Sequence, residues 1–106
     1  LIAKVRFNAD GLVAAIAQDV DNGDVLMMAW MNADTLRETL ETGRACYWSR
    51  SRQAFWRKGD TSGHTQTVHD LLIDCDGDTI LIKITQIGAA CHTGKRTCFF
   101  TSVNDF

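Results

Sequence analysis

The segment Asp21-Asn22-Gly23-Asp24 constrains this chain most, because it sits between two apolar runs, Leu12–Gln18 and Val25–Met31. A turn of this chemistry between β-prone runs reads as an antiparallel hairpin. Asn32 then offers a helix N-cap, Ala33–Thr42 places Leu36 and Leu40 one turn apart on one face, and Gly43 can close the helix. Strand-like runs follow at Ala45–Ser49, Ala54–Lys58, Thr65–Cys75 and Thr79–Ile87, separated by Gly59–Gly63 and by Asp76-Gly77. No proline, repeat or linker interrupts the pattern. The expected fold is therefore α+β: a single small domain over residues 1–106, with five or six strands in a curled, mostly antiparallel sheet and one main helix.

A domain of 106 residues hides only somewhat over ~60% of the surface of its unfolded chain, so a metal or a partner subunit would help it. Eleven basic against thirteen acidic residues argue against the broad basic face that binds nucleic acid, and leave room for a small phosphorylated ligand. No apolar stretch approaches the ~20 residues that span a bilayer, so no membrane is expected and the cytoplasm is the expected compartment. In a reducing compartment the four cysteines, at 46, 75, 91 and 98, are ligands or nucleophiles more often than bridges.

In Asp74-Cys75-Asp76-Gly77-Asp78 the carboxylates recur at every second residue. An extended chain would put all three on one face, about 6.6 Å apart in succession, with Cys75 on the other. Hard oxygen ligands suit Mg²⁺ or Ca²⁺, whereas a thiolate suits zinc. An EF-hand is excluded, since Thr79 and Thr85 stand where that loop needs glycine and glutamate. An acidic hairpin turn with no ligand remains the plain alternative.

Cys91 and Cys98 lie seven residues apart, roughly 23 Å on a strand, so sharing a zinc requires the segment between them to fold back at Gly94. Three thiolates from Cys75, Cys91 and Cys98 would leave a fourth position open for water, as in catalytic zinc sites. Cys46, in Ala45-Cys46-Tyr47-Trp48, suits a buried small residue or a fourth thiolate closing a structural site. His92 follows a candidate ligand and is placed to shuttle a proton; His64 and His69 carry weaker cases. The run Arg44–Lys58 interleaves five cations with Tyr47, Trp48, Phe55 and Trp56, and Lys95 and Arg96 add two more. Cations among aromatics suit phosphate and purine recognition, although strands with outward arginines give the same pattern without a ligand.

Taken in order, Gly43-Arg44, Tyr47-Trp48-Ser49-Arg50-Ser51-Arg52, Trp56, Lys58-Gly59, Thr61-Ser62-Gly63-His64, Asp74-Cys75-Asp76-Gly77-Asp78, Cys91-His92-Thr93-Gly94 and Cys98-Phe99 resemble the phosphoribosyl-AMP cyclohydrolases of histidine biosynthesis, from about Val13 to Phe100. The resemblance implies a homodimeric cytoplasmic enzyme that uses zinc and Mg²⁺ to open the adenine ring of phosphoribosyl-AMP at its N1 to C6 bond, giving the phosphoribosyl-formimino carboxamide ribotide. It puts zinc on Cys75, Cys91 and Cys98, with Cys75 reaching the partner's zinc, and Mg²⁺ on Asp74, Asp76 and Asp78. Trp48, Ser49, Arg50, Arg52, Ser62, His64, Lys95 and Arg96 are the expected substrate contacts. Cys46 departs from the residue that relatives commonly carry.

On this reading zinc-bound hydroxide attacks C6, which the ribosyl group on N1 has made electron-poor, and His92 moves a proton. Lys95 or Arg96 and the other arginines clamp the phosphates. Two rival readings, a closed zinc-stabilised binding module and a thiol redox couple at Cys91 and Cys98, leave the three aspartates unexplained.

Overall fold

The structure, a computed structural model, describes residues 2–106. Six strands and one α-helix succeed one another among the described residues: β1 (Val13–Asp19), β2 (Val25–Met31), α1 (Ala33–Thr42), β3 (Cys46–Ser49), β4 (Ala54–Arg57), β5 (Gln66–Ile73) and β6 (Thr79–Gln86). The α+β class and the strand count match the sequence reading. The sheet does not: the strands form a four-stranded sheet in the order β2-β1-β6-β5 and a separate pair, β3-β4.

The expected hairpin of β1 with β2 forms, and β5 with β6 makes a second, each antiparallel. They are joined by a parallel pairing of β1 with β6, from Ala14 opposite Thr79 to Asp19 opposite Ile84. A parallel neighbour needs a long crossover, and α1, β3 and β4 supply it. Strand alternation then divides the sheet. Val13, Ala15 and Ala17 on β1 and Ile80, Ile82 and Ile84 on β6 are buried on one face. On the other face Met28, Ile16, Leu81 and Leu72 stand opposite one another across four strands, and the two end members, Met28 and Leu72, are exposed.

Helix α1 starts with a capping box in which the Asn32 side chain accepts from the Thr35 N–H (2.8 Å) and the Thr35 hydroxyl accepts from the Asn32 N–H (3.0 Å). It ends at Gly43, whose φ of 72° is the left-handed value a glycine cap adopts. Its buried face is Thr35, Leu36 and Thr39, whereas Leu40, expected beside Leu36, is exposed. The helix turns a hydroxyl inward because the Thr39 oxygen accepts the Cys46 N–H (3.0 Å) and ties α1 to β3.

The β3-β4 pair is anchored by Tyr47, fully buried, whose hydroxyl donates to the Gln66 side chain (2.6 Å); Gln66 in turn donates to Gln86 (2.8 Å). Tyr47 also packs on Trp56, with ring centroids 5.4 Å apart. This polar chain holds the open end of the β5-β6 hairpin against β3 and β4, and the candidate site lies there.

Candidate metal centres and active-site cleft

Beyond β6 the chain folds back on itself as the cysteine spacing requires. The Ala90 N–H donates to the Arg96 carbonyl (3.0 Å), Cys91 N–H to Lys95 (3.2 Å) and Gly94 N–H to Cys91 (3.1 Å). The tip passes through Gly94 at φ 89°, and the fold-back brings the Cys91 and Cys98 thiols close enough to shift one another's pKa. The Thr93 hydroxyl donates to the Cys91 sulfur (3.1 Å) and, with the Thr93 backbone, Cys98 and the charge of Lys58, holds the Cys91 thiol below its ordinary pKa against the opposing effect of burial. Cys98 is pushed up, chiefly by burial and then by the neighbouring Cys91 thiol. The two sulfurs form a soft donor pair suited to zinc.

The loop is fastened to the β1-β2 hairpin at three points. The Cys98 N–H donates to the Leu26 carbonyl (2.7 Å), the Thr97 hydroxyl donates to the Val25 carbonyl (2.9 Å), and Arg96 pairs with Asp19 (2.9 Å) and Asp24 (3.2 Å). Arg96, expected as a phosphate contact, therefore has its guanidinium engaged with two carboxylates. Lys95 lies over the Phe100 ring, 5.6 Å from its centroid.

At the opposite end of the β5-β6 hairpin the three aspartates converge. The segment is a tight turn, not the extended run that the spacing suggested: the Gly77 N–H donates to the Asp74 carbonyl (3.1 Å) and Gly77 adopts φ 79°. Turning brings ligand atoms of Asp74, Asp76 and Asp78 within 4.8 Å of one another, all on exposed side chains, a spacing that one hard cation can bridge. Burial works to raise the Asp74 pKa, but hydrogen bonds from Asp78, Asp76 and the Asp78 and Thr79 backbone hold it low, while Asp78 is pushed up by its bonds to Asp76 and Asp74. Crowding of like charges makes it costly for all three carboxylates to ionise together. Cys75 is exposed on the same turn. Strand β6, with 8 residues, separates this turn from the Cys91 loop, about 23 Å at ~3.3 Å per residue, so Cys75 does not join its own chain's thiol pair.

Beside the thiol pair lies a cleft of ≈ 370 Å³ that Arg52, Ser62, His64, Cys91 and His92 help to line. Four expected site residues other than cysteine thus share one cavity. His64 rests on Gly88, where an added Cβ would come within 2.5 Å of its ring, so the bare backbone seats the imidazole. Trp48, Ser49 and Arg50 line a neighbouring cleft, with Trp56 belonging to both and Arg50 over the Trp30 ring at 5.0 Å. His69 bonds to Thr85 on the outer sheet face (2.7 Å) and takes no part. Cys46 is buried with its thiol beside Glu38, pushed up to about 12 chiefly by burial and then by that carboxylate; it faces Glu38, not the Cys91 pair. Arg57 is held by Glu38 (2.8 Å). The residue that sequence reasoning passed over is Lys58: buried, its ammonium donating to the Ala90 carbonyl (2.8 Å). Its signals were a cation closing an aromatic strand and a place in the Lys58-Gly59 block, and neither gave it a role. Burial draws its pKa down, and the charges of Cys98 and Cys91 oppose that.

The model of the family described as phosphoribosyl-AMP cyclohydrolase matches residues 27–100. The chain belongs to the phosphoribosyl-AMP cyclohydrolase family. Named members include the phosphoribosyl-AMP cyclohydrolase of Paramagnetospirillum magneticum, 67% identical over 102 residues that make up 96% of this chain and 77% of the relative. That of Corynebacterium jeikeium is 69% identical over 96 residues, 91% of this chain and 76% of the relative. That of Rhodospirillum rubrum is 65% identical over 103 residues, 97% and 72%. Both cysteines of the loop and all three aspartates fall inside the stretch that the family model covers.

The Arg96 attachment has a pH signature. Asp19 sits below its ordinary value of 3.8, first because of the Arg96 hydrogen bond and then the Asp21 N–H. A depressed carboxylate contributes its stabilisation above the unfolded value and loses it as pH falls through the folded one. The protection factors of the amides of residues 95–98, exchange measured against the unfolded-chain rate at the same pH, should therefore be high at neutral pH and fall below pH 3.8, whereas in Asp19→Asn they should already be lower at neutral pH and converge with the parent in acid. Equal protection of the variant and the parent at neutral pH would show that the ion pair does not hold the loop.

Proposed function

We propose that the protein hydrolyses the N1 to C6 bond of the adenine ring of phosphoribosyl-AMP, the cyclohydrolase step of histidine biosynthesis, and releases the phosphoribosyl-formimino carboxamide ribotide. One observation carries this reading beyond family membership: the Cys91–Cys98 thiol pair borders a cleft that also holds His92 and His64.

Cys91 and Cys98 would hold zinc, with Cys75 of a second copy as third ligand, and Asp74, Asp76 and Asp78 would hold Mg²⁺. The donor sets suit these ions, sulfur for the softer and carboxylate oxygen for the harder. Zinc held there would supply a hydroxide nucleophile at neutral pH, because it lowers the pKa of water from 15.7 to about 7, and Mg²⁺ would offset phosphate charge. His92, exposed on the rim of the cleft, takes or returns a proton as C6 becomes tetrahedral and the N1 to C6 bond breaks. Trp56, shared by the two neighbouring clefts, offers a face for the purine. Arg52 and Arg50 are the cations best placed for the phosphates, one in each cleft. Arg96 is a poorer candidate, since Asp19 and Asp24 already neutralise it.

Dimerisation is part of the proposal. It is supported by the length of β6 between Cys75 and the thiol pair and by the apolar row Met28, Ile16, Leu81 and Leu72 across the open sheet face. A two-fold pair would bury that row and carry each Asp74–Asp78 turn toward the other copy.

Purified protein should consume phosphoribosyl-AMP, followed by the loss of its absorbance features, and should stop when a zinc chelator is added. Turnover that survives complete removal of zinc would end the hydroxide mechanism. His92→Ala should keep its zinc and lose roughly 10² to 10⁴ in kcat; unchanged turnover would remove His92 from the chemistry. Cys75→Ser and Cys91→Ser should each be inactive alone, yet subunits mixed and allowed to exchange should recover about a quarter of parental activity, because half the dimers then hold one intact site. No recovery despite proven exchange would refute the shared site.

A further inference from the structure

We infer that Lys58 is a positioning residue for the zinc-ligating thiols: a buried positive charge that braces the Cys91 loop and offsets the negative charge of the sulfurs. The inference rests on the reading that Cys91 and Cys98 hold the metal.

Lys58 follows directly on β4 and is only 7% exposed. A lysine is almost never this deeply buried without an anion, since desolvating an ammonium is costly unless it is paired. Yet among the described residues Lys58 forms no ion pair with a carboxylate. What surrounds its ammonium is the Ala90 carbonyl at 2.8 Å, the Trp56 ring with its centroid at 5.5 Å, and the Cys91 and Cys98 thiols within electrostatic reach. The carbonyl and the ring face supply partial negative charge; only the sulfurs can supply a whole one.

The surroundings hold this cation in place. The Lys58 N–H donates to the Ala45 carbonyl (3.1 Å). The next residue, Gly59, lies at φ +88°, where an added Cβ would come within 2.6 Å of the His64 backbone. The chain therefore turns sharply and leaves the lysine stem directed across to the residue before Cys91. The ammonium thus grips the loop backbone at its base, opposite the points where Arg96, Thr97 and Cys98 fasten the loop to the first hairpin.

The charge has a use once metal is present. Three thiolates around one Zn²⁺ carry one net negative charge, which is unfavourable in a half-buried setting unless a cation stands beside it. Partners just outside the ligand shell commonly contribute a factor of about 10 to 100 to metal affinity. Two other cations near the loop are committed elsewhere, Arg96 to Asp19 and Asp24, and Arg57 to Glu38, and Lys95 is drawn to the Phe100 ring.

The test uses the full chain and measures zinc affinity by competition with a chelator, for the parent, Lys58→Met, Lys58→Gln and Lys58→Arg. Methionine removes charge and donor, glutamine keeps a donor, and arginine keeps the charge. Lys58→Met and Lys58→Gln should both bind zinc about 10- to 100-fold more weakly, with unchanged circular dichroism of the metal-free protein, and Lys58→Arg should recover part of the loss. The inference is overturned if Lys58→Gln binds zinc as tightly as the parent, or if arginine recovers nothing while all three variants melt early without metal, which would mark a packing role. Cys91→Ser keeps the two readings apart: were it to bind zinc like the parent, the thiol pair would not be the metal site, whatever Lys58 does.

Discussion

The parallel pairing of β1 with β6 is the constraint on which the rest of the structure depends. It joins two hairpins that would each be marginal alone, and it buries Ala15, Ala17, Ile80, Ile82 and Ile84 in one continuous core. Because the two central strands run the same way, the β1-β2 turn lies at the same end of the sheet as the loop that follows β6. Asp19 and Asp24 can therefore meet Arg96, and Leu26 can meet Cys98. The fold of the sheet thus decides where the thiol loop is tied.

The same pairing sends the acidic turn to the far end. Asp74, Asp76 and Asp78 gather because a tight turn at Gly77 replaces the extended chain, and the Arg6 N–H donates to the Gly77 carbonyl (2.7 Å), latching the N-terminal segment onto that turn. Hard and soft donors are separated by the length of one strand. Within a single chain the two sets lie too far apart to act on one substrate atom.

Part of the charge in this protein is committed to structure. Arg57 with Glu38 ties β4 to α1, and Arg96 with Asp19 and Asp24 ties the thiol loop to the first hairpin. Being largely exposed, such pairs are individually weak, but each spans elements distant in sequence and selects one arrangement of them. What remains at the clefts is a small set, Arg50 and Arg52 with His64 and His92, which fits a phosphorylated small molecule better than a polymer.

Local chemistry was legible without the fold. The Asn-Gly turn, the Asn32 cap, the Gly43 stop and the alternation of β1 and β6 depend on neighbours a few residues away, and the sequence placed them to within a residue or two. The donor types of the candidate site were legible for the same reason, since thiol and carboxylate are properties of the residue. The splitting of the strands into two sheets, the parallel β1-β6 pairing, the exposure of Leu40, the burial of Lys58 and the diversion of Arg96 into an ion pair were not. Each depends on partners at long separation in the chain: Lys58 meets Ala90, and Arg96 meets Asp19. A sequence determines which side chains can ligate, cap or turn; only the packed chain decides which of them are left free to act, because burial and pairing are properties of the neighbours that folding brings together.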